Sequence, residues 1–198
     1  MTLITIPTSP AFVTSDWGIT RSVALSESPF TGATQVHKYA KAKWSATLTL
    51  PPMKRDQARL WQAFFMQCEG RANTFLLGDP DGKEITGGIP PSSISVAAAA
   101  AIGDTSVNLT LGSGKKISQG SYLQFSTGAN SRLHMVVDDN TGNGIVTIQP
   151  PLKTAITTST AVVFVSPQGV FRMDNNDMRW TADQLSNYGI TFTCSEAL

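Results

Sequence analysis

The sequence is poor in the residues that build metal and redox sites: its 198 residues include only two cysteines, Cys68 and Cys194, and two histidines, His37 and His134. One cysteine lies on the apolar side of a predicted helix and the other in an alternating segment. We therefore expect buried free thiols, as in a reducing cytosol, rather than a disulfide. With one histidine in each predicted unit, a two- or three-histidine site within one unit is excluded. We expect no metal site and no cofactor, and we interpret both histidines as satisfied or surface residues.

Long apolar runs and an excess of charge are also lacking. No apolar stretch approaches the roughly 18 residues that cross a membrane, and the N-terminal segment has no charged stretch followed by an apolar one. We expect neither a membrane span nor an export signal. The chain has 15 basic and 14 acidic side chains, a formal net charge of +1. Because no overall field attracts a polyanion, specific binding of nucleic acid is disfavoured.

What the chain does have is one stretch, residues 36–77, in which the hydrophobic period changes twice. Alternate residues up to Leu50 are apolar, apart from Lys38. This pattern predicts a strand with one apolar face. The prolines Pro51 and Pro52 lack the amide hydrogens that a ladder needs, so they end the strand.

The period then becomes helical, which predicts one large amphipathic helix lying across a sheet. We expect Gly70 to close this helix with a positive φ and residues 74–77 to resume an extended structure. The aromatic side chains of the helix should be buried against the sheet that carries Trp44 and Leu48. The predicted apolar face consists of Met53, Gln57, Leu60, Trp61, Phe64, Phe65 and Cys68.

Three segments precede this stretch. Residues 1–15 are interpreted as an arm that becomes ordered by docking. Alternation from Trp17 to Leu25 predicts a first strand. The segment from Ser26 to Thr34 contains a proline and a glycine, and we interpret it as a loop that is long enough to reach a neighbour rather than a tight hairpin.

The most regular alternation in the chain lies near its C-terminal end. Tyr188, Ile190, Phe192 and Cys194 share one side of a predicted strand, and the residues between them share the other. An apolar strand face of this kind demands a covering layer. The side of the helix that carries Trp61 is one candidate for that layer.

Between these regions, residues 94–165 show short predicted strands at intervals of about ten residues, which is typical of a small barrel or sandwich. The run Ala97–Ala101 could begin a helix, but it is too short before Gly103, so a strand is favoured. The continuous apolar run Ala161–Val165 predicts a strand buried on both faces.

Breaker-rich segments at Gly87–Ser93 and Pro167–Gly169 bracket this middle region and are typical of domain borders. They favour a discontinuous unit made of residues 1–89 and 168–198, with residues 90–167 inserted as a second unit. Periodicity alone also allows residues 168–198 to belong to the second unit.

Four features together resemble the small distal tail proteins of long, flexible-tailed phages. They are the strand-helix-strand unit, the proline-rich exit Ile89–Ser93, the β segment Gly120–Phe125 and above all the ending Tyr188–Leu198. The resemblance covers nearly the whole chain and lies in order and spacing. We expect no counterpart of the C-terminal galectin-like domain of larger relatives.

This resemblance implies a structural virion protein rather than an enzyme. It implies a ring, usually of six copies, in which residues 1–89 and 168–198 form a sandwich or barrel ring domain and residues 90–167 an OB-like barrel. The implied partners are the tail tube protein and the protein of the tail tip or baseplate hub, and the implied location is the virion tail tip after assembly in the host cytoplasm. The alternative is an adaptor that binds tail fibres or host glycans.

Apparent ligand-binding loops are better explained as turns. Gly112–Lys116 looks like a phosphate loop, but Leu109 stands in place of the first glycine and Lys116 in place of the final Ser or Thr. Asp79–Gly82 and Asp138–Gly144 lack the alternating ligands and distal glutamate of a calcium site.

Catalytic and nucleic-acid signatures are equally weak. No Gly-x-Ser-x-Gly elbow marks a nucleophile, and no carboxylates are paired in a recognisable context, so no catalytic residue is assigned. A group of aromatic and basic residues in the insert could stack single-stranded bases, although such aromatic residues are more often barrel core. This group consists of Tyr122, Phe125, Lys115, Lys116, Arg132 and Phe164.

A sheet face rich in hydroxyl groups gives the assembly prediction. This predicted face is uncharged, and a closed ring would pair exposed strand edges between neighbours while leaving the face to a wet lumen. Closure would join two different edges, so we expect a monomer in dilute solution and a hexamer at high concentration or on the tail tube. The face consists of Ser45, Thr47, Thr49, Thr191, Thr193 and Ser195.

Overall fold

The computed structural model describes residues 1–85, 92–183 and 187–197. Of these residues 44% lie in strands and 9% in helical turns, and they include one α-helix, so the predicted mainly β fold with a single helix is confirmed. The helix α1 spans Arg55–Cys68, and a 3-10 turn spans Gly128–Asn130. The strands are β1 (Leu3–Ile4), β2 (Thr14–Glu27), β3 (Thr34–Thr49), β4 (Thr74–Leu77), β5 (Ser95–Val96), β6 (Ser106–Thr110), β7 (Lys116–Ile117), β8 (Tyr122–Phe125), β9 (Arg132–Val136), β10 (Asn140–Thr141), β11 (Gly144–Gln149), β12 (Val162–Val163), β13 (Gly169–Met173), β14 (Thr181–Ala182), β15 (Tyr188–Gly189) and β16 (Thr191–Glu196).

Segments from both ends of the chain form one six-stranded sheet in the order β1-β4-β13-β16-β3-β2. Only the β1–β4 pair is parallel among these neighbours. The alternation predicted for β16 is confirmed, because Ile190, Phe192 and Cys194 are all buried. We call this open sheet together with α1 the sheet unit; its edges are β1 and β2.

The helix covers one face of this sheet through a cluster of aromatic rings. Trp61 is fully buried, and its ring lies 5.9 Å from Phe64 and 6.1 Å from Phe192. Phe65 also lies in this core, together with Trp44 and Leu48 of β3. The predicted packing of the helix on the sheet is therefore confirmed.

The predicted apolar face of the helix needs correction at three positions. Gln57 is exposed and Leu60 is 54% exposed, whereas Ala58, which was not assigned to this face, is fully buried. Each residue turns about 100° around a helix, so the position before Trp61 points away from the sheet. The buried side chains of α1 are Ala58, Trp61, Phe64, Phe65 and Cys68.

The C-terminal end of the helix also differs slightly from the prediction. Glu69 already adopts the left-handed conformation, with φ of 49°, and its amide donates to the carbonyl of Met66. Gly70 follows with φ of 63°, so the predicted positive φ is present but begins one residue earlier.

The N-terminal segment docks on its own subunit. Leu3 and Ile4 of β1 pair with Thr74 and Phe75 of β4. Further along the segment, the amide of Val13 donates a hydrogen bond to the carbonyl of Thr49 in β3. Between these points the segment crosses the helical side of the sheet, where the Phe12 ring lies 5.7 Å from Trp61 and 6.2 Å from Phe192. These aromatic contacts hold the segment against the core.

The loop predicted from Ser26 to Thr34 is present but shorter, at residues 28–33, because β2 and β3 form a hairpin that stays paired as far as Glu27 and Thr34. Residues 28–33 make the turn, and the amide of Ser28 donates to the carbonyl of Ala33 over 2.9 Å.

The outer part of this hairpin stands clear of the sheet unit. The last partner of β3 on β16 is Ser195, opposite Ser45, so residues 20–43 form a two-stranded projection that we call the ribbon. Val36 was assigned to the apolar strand face but is 53% exposed, because no layer of the subunit covers the ribbon there. The side chain of Ala40 lies outside the described part.

The middle of the chain forms a second six-stranded sheet, in the order β12-β8-β9-β11-β6-β5. Its two ends approach each other through a bridge between Ser95 and Ala161, so the sheet is a nearly closed barrel. We call it the barrel unit. The buried residues of its core are Ile85, Ile94, Val96, Val107, Leu109, Leu111, Ile117, Leu123, Phe125, Val136, Val146, Ile148, Leu152 and Ile156.

Two strand predictions in the barrel need correction. β5 covers only Ser95–Val96, and residues 97–101 form a bend that Ala100 joins to Ile156 by a single bridge. The run Ala161–Val165 is not buried on both faces: β12 is half-buried and Val165 is 59% exposed, because this strand lies at the edge of the barrel sheet. The predicted border between residues 89 and 90 lies outside the described residues.

Candidate functional site

The face of the sheet unit opposite α1 carries rows of hydroxyl groups. The side-chain oxygens of Thr49 and Thr191 lie 3.2 Å apart across β3 and β16. The hydroxyl of Ser45 donates to the carbonyl of Gly18 on β2 over 3.3 Å. Thr47 and Thr191 are exposed, so this open face presents polar groups to solvent.

The prediction that this face is uncharged is wrong. The ammonium of Lys43 donates to the Ser195 hydroxyl over 3.0 Å. Asp16 pairs with Thr47 and so shares its face, and Asp174 adjoins Thr193 through a backbone hydrogen bond. Alternation along β3 gives the face of each residue but not the charges that neighbouring strands bring to it. A small cleft of about 180 Å³ between these strands is lined by Asp16, Gly18, Ser45, Ala46, Thr47, Asp174 and Thr193.

A buried ion pair joins the two units. Lys153 of the barrel unit contacts Glu196 of β16, with side chains that are 13% and 1% exposed. The same carboxylate accepts the backbone amide of Trp44 over 3.2 Å. Burial lowers the pKa of Lys153, and the adjacent Glu196 opposes that shift. This pair was not predicted, because the partners lie 43 residues apart and belong to different predicted units.

Further polar contacts fix the same junction. The indole of Trp44 donates to the carbonyl of Leu133 over 2.8 Å. Gln124 accepts the amide of Gln168 over 2.8 Å and donates to Ser131 over 3.0 Å. Leu133 also belongs to the aromatic core of the sheet unit, so the units share apolar as well as polar contacts.

The residues predicted to form a base-stacking surface are dispersed. Tyr122 lies in the core of the sheet unit and donates to Asp79 over 3.1 Å. Burial first, and then the charge of Asp79, raises the pKa of Tyr122. Phe125 is 1% exposed in the barrel core, and Phe164 packs against that core.

The basic members of that group lie at separate turns. The ammonium of Lys116 lies 2.6 Å from the carboxylate of Asp139, and this hydrogen bond lowers the Asp139 pKa. Arg132 donates to the carbonyl of Ser131. Lys115 lies in the exposed turn that precedes Lys116. No shared stacking surface forms from these cations and the buried rings.

The apparent ligand loops use their oxygens to hold turns. The side chain of Asp79 accepts the amide of Asp81, and its carbonyl accepts the amide of Gly82. Asn143 accepts the amides of Leu111 and Gly112. Within the described ranges, no group of three or more histidine, cysteine, aspartate or glutamate residues could hold a metal ion.

The cysteines and His37 occupy the environments that were predicted, whereas His134 is only half satisfied, because its buried Nε2 has no hydrogen-bond partner in the described part of the chain. His134 is 1% exposed, its Nδ1 lies 2.7 Å from the carbonyl of Pro150, and burial lowers its pKa to about 4. His37 is exposed on the ribbon beside Tyr39. Both cysteines are free and buried, as predicted, and burial raises the pKa of Cys68 to about 11 and that of Cys194 further.

A polar cleft of about 700 Å³ lies beside β16 and was not predicted. Its walls come mainly from the segment after β13, whose amide and charged residues follow neither strand nor helix periodicity in the sequence. Asn176 in this segment accepts the amide of Arg71 over 3.3 Å. The lining consists of Arg71, Asp174, Asn175, Asn176, Asp177, Met178, Arg179, Thr191, Phe192 and Thr193.

Comparisons with known proteins identify no family. No protein-family model matches the chain. No curated protein matches it either. Among the described residues, no helix is long and apolar enough to cross a membrane.

Proposed function

We propose that this chain is a structural subunit of a phage tail, a distal tail protein whose copies form a ring between the tail tube and the tail tip or baseplate hub. One observation carries the proposal: the sheet unit is covered by α1 on one face, open and polar on the other, and ends in two unlike edges. The sequence resemblance supplies the expected number of copies, six, the tube and hub partners, and a place in the virion.

The unlike edges favour a head-to-tail ring. β1 has two residues and β2 has 14, so a contact between β1 of one copy and β2 of the next joins two different edges. A heterologous contact that closes on itself gives a ring without free edges. The open face with Thr47 and Thr191 would then line a wet lumen.

Native mass spectrometry over a concentration series tests this proposal. We expect monomers in dilute solution and closed six-copy rings at high concentration. Thr47→Glu and Thr191→Glu change the open face without touching either edge, so rings should still close. Dimers alone at every concentration would contradict the ring.

The polar cleft favours a second candidate, an adaptor that binds host glycans or a tail fibre. Its amide, carboxylate and guanidinium groups suit a ligand with many hydroxyl groups, and the side chain of Trp180 next to the lining residue Arg179 is 38% exposed. A glycan screen of the full chain, with Arg179→Ala as the matched variant, tests this role. Retained binding in the variant would place any glycan site elsewhere, including the barrel unit.

We expect no enzymatic activity and no requirement for a cofactor. A turnover assay on cell-wall material tests this expectation. Release of soluble fragments by the purified chain, lost on heating, would move the protein to the class of wall hydrolases.

A further inference from the structure

One face of the ribbon exposes a stripe of apolar side chains, which is flanked on the same face by the charged Lys38 and Glu27. Leu25 pairs directly with Val36, and Val23 pairs with Lys38, and directly paired residues share a face. Val23, Leu25 and Val36 are 54%, 66% and 53% exposed. At the turn beyond them, Phe30 is 95% exposed.

This stripe is continuous with the core of the sheet unit. Val36 lies an even number of residues before Trp44 on β3, and β3 gains two residues over β2 near Arg21, so alternation along the strand is preserved. Trp44 is covered by the barrel unit and Ala42 is still buried, whereas Val23, Leu25 and Val36 further out are exposed. An isolated two-stranded ribbon is only marginally stable in water, so its apolar face needs another surface.

A matching apolar groove lies at the other end of the same sheet. It has a volume of about 490 Å³ and is lined between the N-terminal segment and α1, with Ile6, Pro7, Leu60 and Ala63 among its walls. α1 lies against β1, which is the edge strand opposite β2. Leu60, 54% exposed, is the helix residue that the sequence assigned to a buried face.

We propose that the ribbon of one copy of this chain docks in the groove of the next copy, with Phe30 entering beside Leu60. The inference rests on the proposed ring and names its contact surfaces. The sheet order places donor and acceptor at opposite edges, β2 and β1, so each copy uses both of its features once.

The placement of the two surfaces supports a second copy as the occupant. Each copy carries the ribbon at one edge of its sheet and the groove at the other edge, so one head-to-tail contact covers both surfaces. The side chains that line the groove carry no charge, as expected for a surface that receives Phe30 and its apolar neighbours. A different partner would fill the groove but leave the ribbon of the same subunit uncovered.

Disulfide trapping tests the proposed pair of surfaces. Both natural cysteines are buried, so Phe30→Cys and Leu60→Cys each introduce one exposed thiol. We expect a cross-link when the two single variants are mixed under mild oxidation at a concentration that gives rings, and none in either variant alone. Ile145→Cys, at a barrel position that is 68% exposed, replaces Leu60→Cys as the matched control and should give no cross-link with Phe30→Cys.

The outcomes separate this inference from the proposed function. Rings without a Phe30–Leu60 cross-link would overturn the docking mode and keep the ring. A cross-link in the Phe30→Cys variant alone would indicate a two-fold contact and overturn both. A chain that stays monomeric at every concentration would also overturn both.

Substitution of the stripe gives an independent readout. Val23→Ser combined with Leu25→Ser should weaken self-association at least tenfold, because it removes exposed apolar contacts. Ser26→Ala combined with Gln35→Ala changes a cross-strand pair on the other face of the ribbon and should leave association within a factor of two. Both variants should keep the wild-type thermal unfolding, because these side chains are exposed in the monomer. Equal association of the two variants would contradict the proposed contact.

Discussion

The two units fill their cores in different ways. The core of the sheet unit is built from interlocking rings contributed by distant segments, including Phe12, Trp61, Phe75, Phe171 and Phe192. The barrel core is mostly isoleucine, valine and leucine, and Phe125 is the one aromatic side chain among the described buried residues of that apolar cluster. Rings fill the space between the helix and the sheet in the sheet unit, whereas aliphatic side chains fill the interior of the barrel. Single substitutions should therefore have their largest effects in the sheet unit.

Separating the two units should have the largest effect of all. The carbonyl of Pro167 lies so close to Gly78 that a Cβ there would approach it to 2.2 Å, so the two connections to the barrel run side by side. We expect residues 90–167 alone, and residues 1–89 joined to 168–198 by a short Gly/Ser linker, each to unfold cooperatively.

The two separated units should differ in stability. The linked sheet unit should lose more stability than any point variant, because Glu196 and Trp44 lose their barrel partners. Denaturant titration of both separated units measures this difference. Gradual, non-cooperative unfolding of both separated units would contradict the prediction that the chain has two units.

Trp61→Ala should have the largest effect among single substitutions. The side chain is fully buried among four aromatic rings, so we expect a loss of about 3–5 kcal/mol in the free energy of unfolding. Arg59→Ala, on the exposed side of α1, should change this energy by less than about 0.5 kcal/mol. Chemical denaturation compares the two, and similar small losses would mean that the helix is not docked as described.

Lys153→Met tests the junction between the units. It leaves the 1% exposed carboxylate of Glu196 without its cation, so we expect a loss of about 3 kcal/mol. Adding Glu196→Gln should restore part of that loss, because it removes the buried charge. A double-mutant cycle in denaturant measures the coupling, and additive effects of the two substitutions would refute a coupled pair.

His134 should make the barrel unit sensitive to acid. Burial lowers its pKa from 6.5 to about 4, so between these values the unfolded chain binds the proton that the folded chain excludes. The contribution of neutral His134 is complete above pH 6.5 and falls as the pH is lowered towards 4, with a loss of about 2 kcal/mol at pH 5. Unfolding free energies at pH 7 and pH 5 measure this loss.

His134→Gln should remove that component of the pH dependence. His37→Gln, at an exposed position on the ribbon, is the matched control and should leave the pH dependence unchanged. An unchanged acid loss in the His134 variant would assign the effect to another group.

The sequence correctly predicted the elements whose hydrophobic pattern depends on a single layer of contacts. The alternation in β16 and the aromatic side of α1 follow directly from which side of each element is buried, and both predictions are confirmed. The same alternation misassigned Val36, because periodicity gives the direction of a side chain and not what covers it. The prediction that Leu60 is buried was wrong for a related reason, because Leu60 lies at the margin of the apolar face of α1.

The contacts between units could not be predicted from local pattern. Lys153 and Glu196 look like ordinary surface residues until the fold brings them together. Leu133 belongs to a barrel strand, yet it packs in the core of the sheet unit. The polar cleft likewise depends on an irregular segment around Asn176, for which neither helical nor strand periodicity gives a signal.

The position of β16 has a consequence for the order in which the chain folds during synthesis. β16 lies between β13 and β3, yet the ribosome makes it after every other strand of its sheet. Until it emerges, the β2–β3 hairpin and the β1–β4–β13 group have no strand to connect them, while the barrel strands already have all their partners. The barrel unit can therefore mature first, and the sheet closes only when Phe192 inserts under the helix. A nascent chain that lacks this strand would keep the two edges of the future sheet apart.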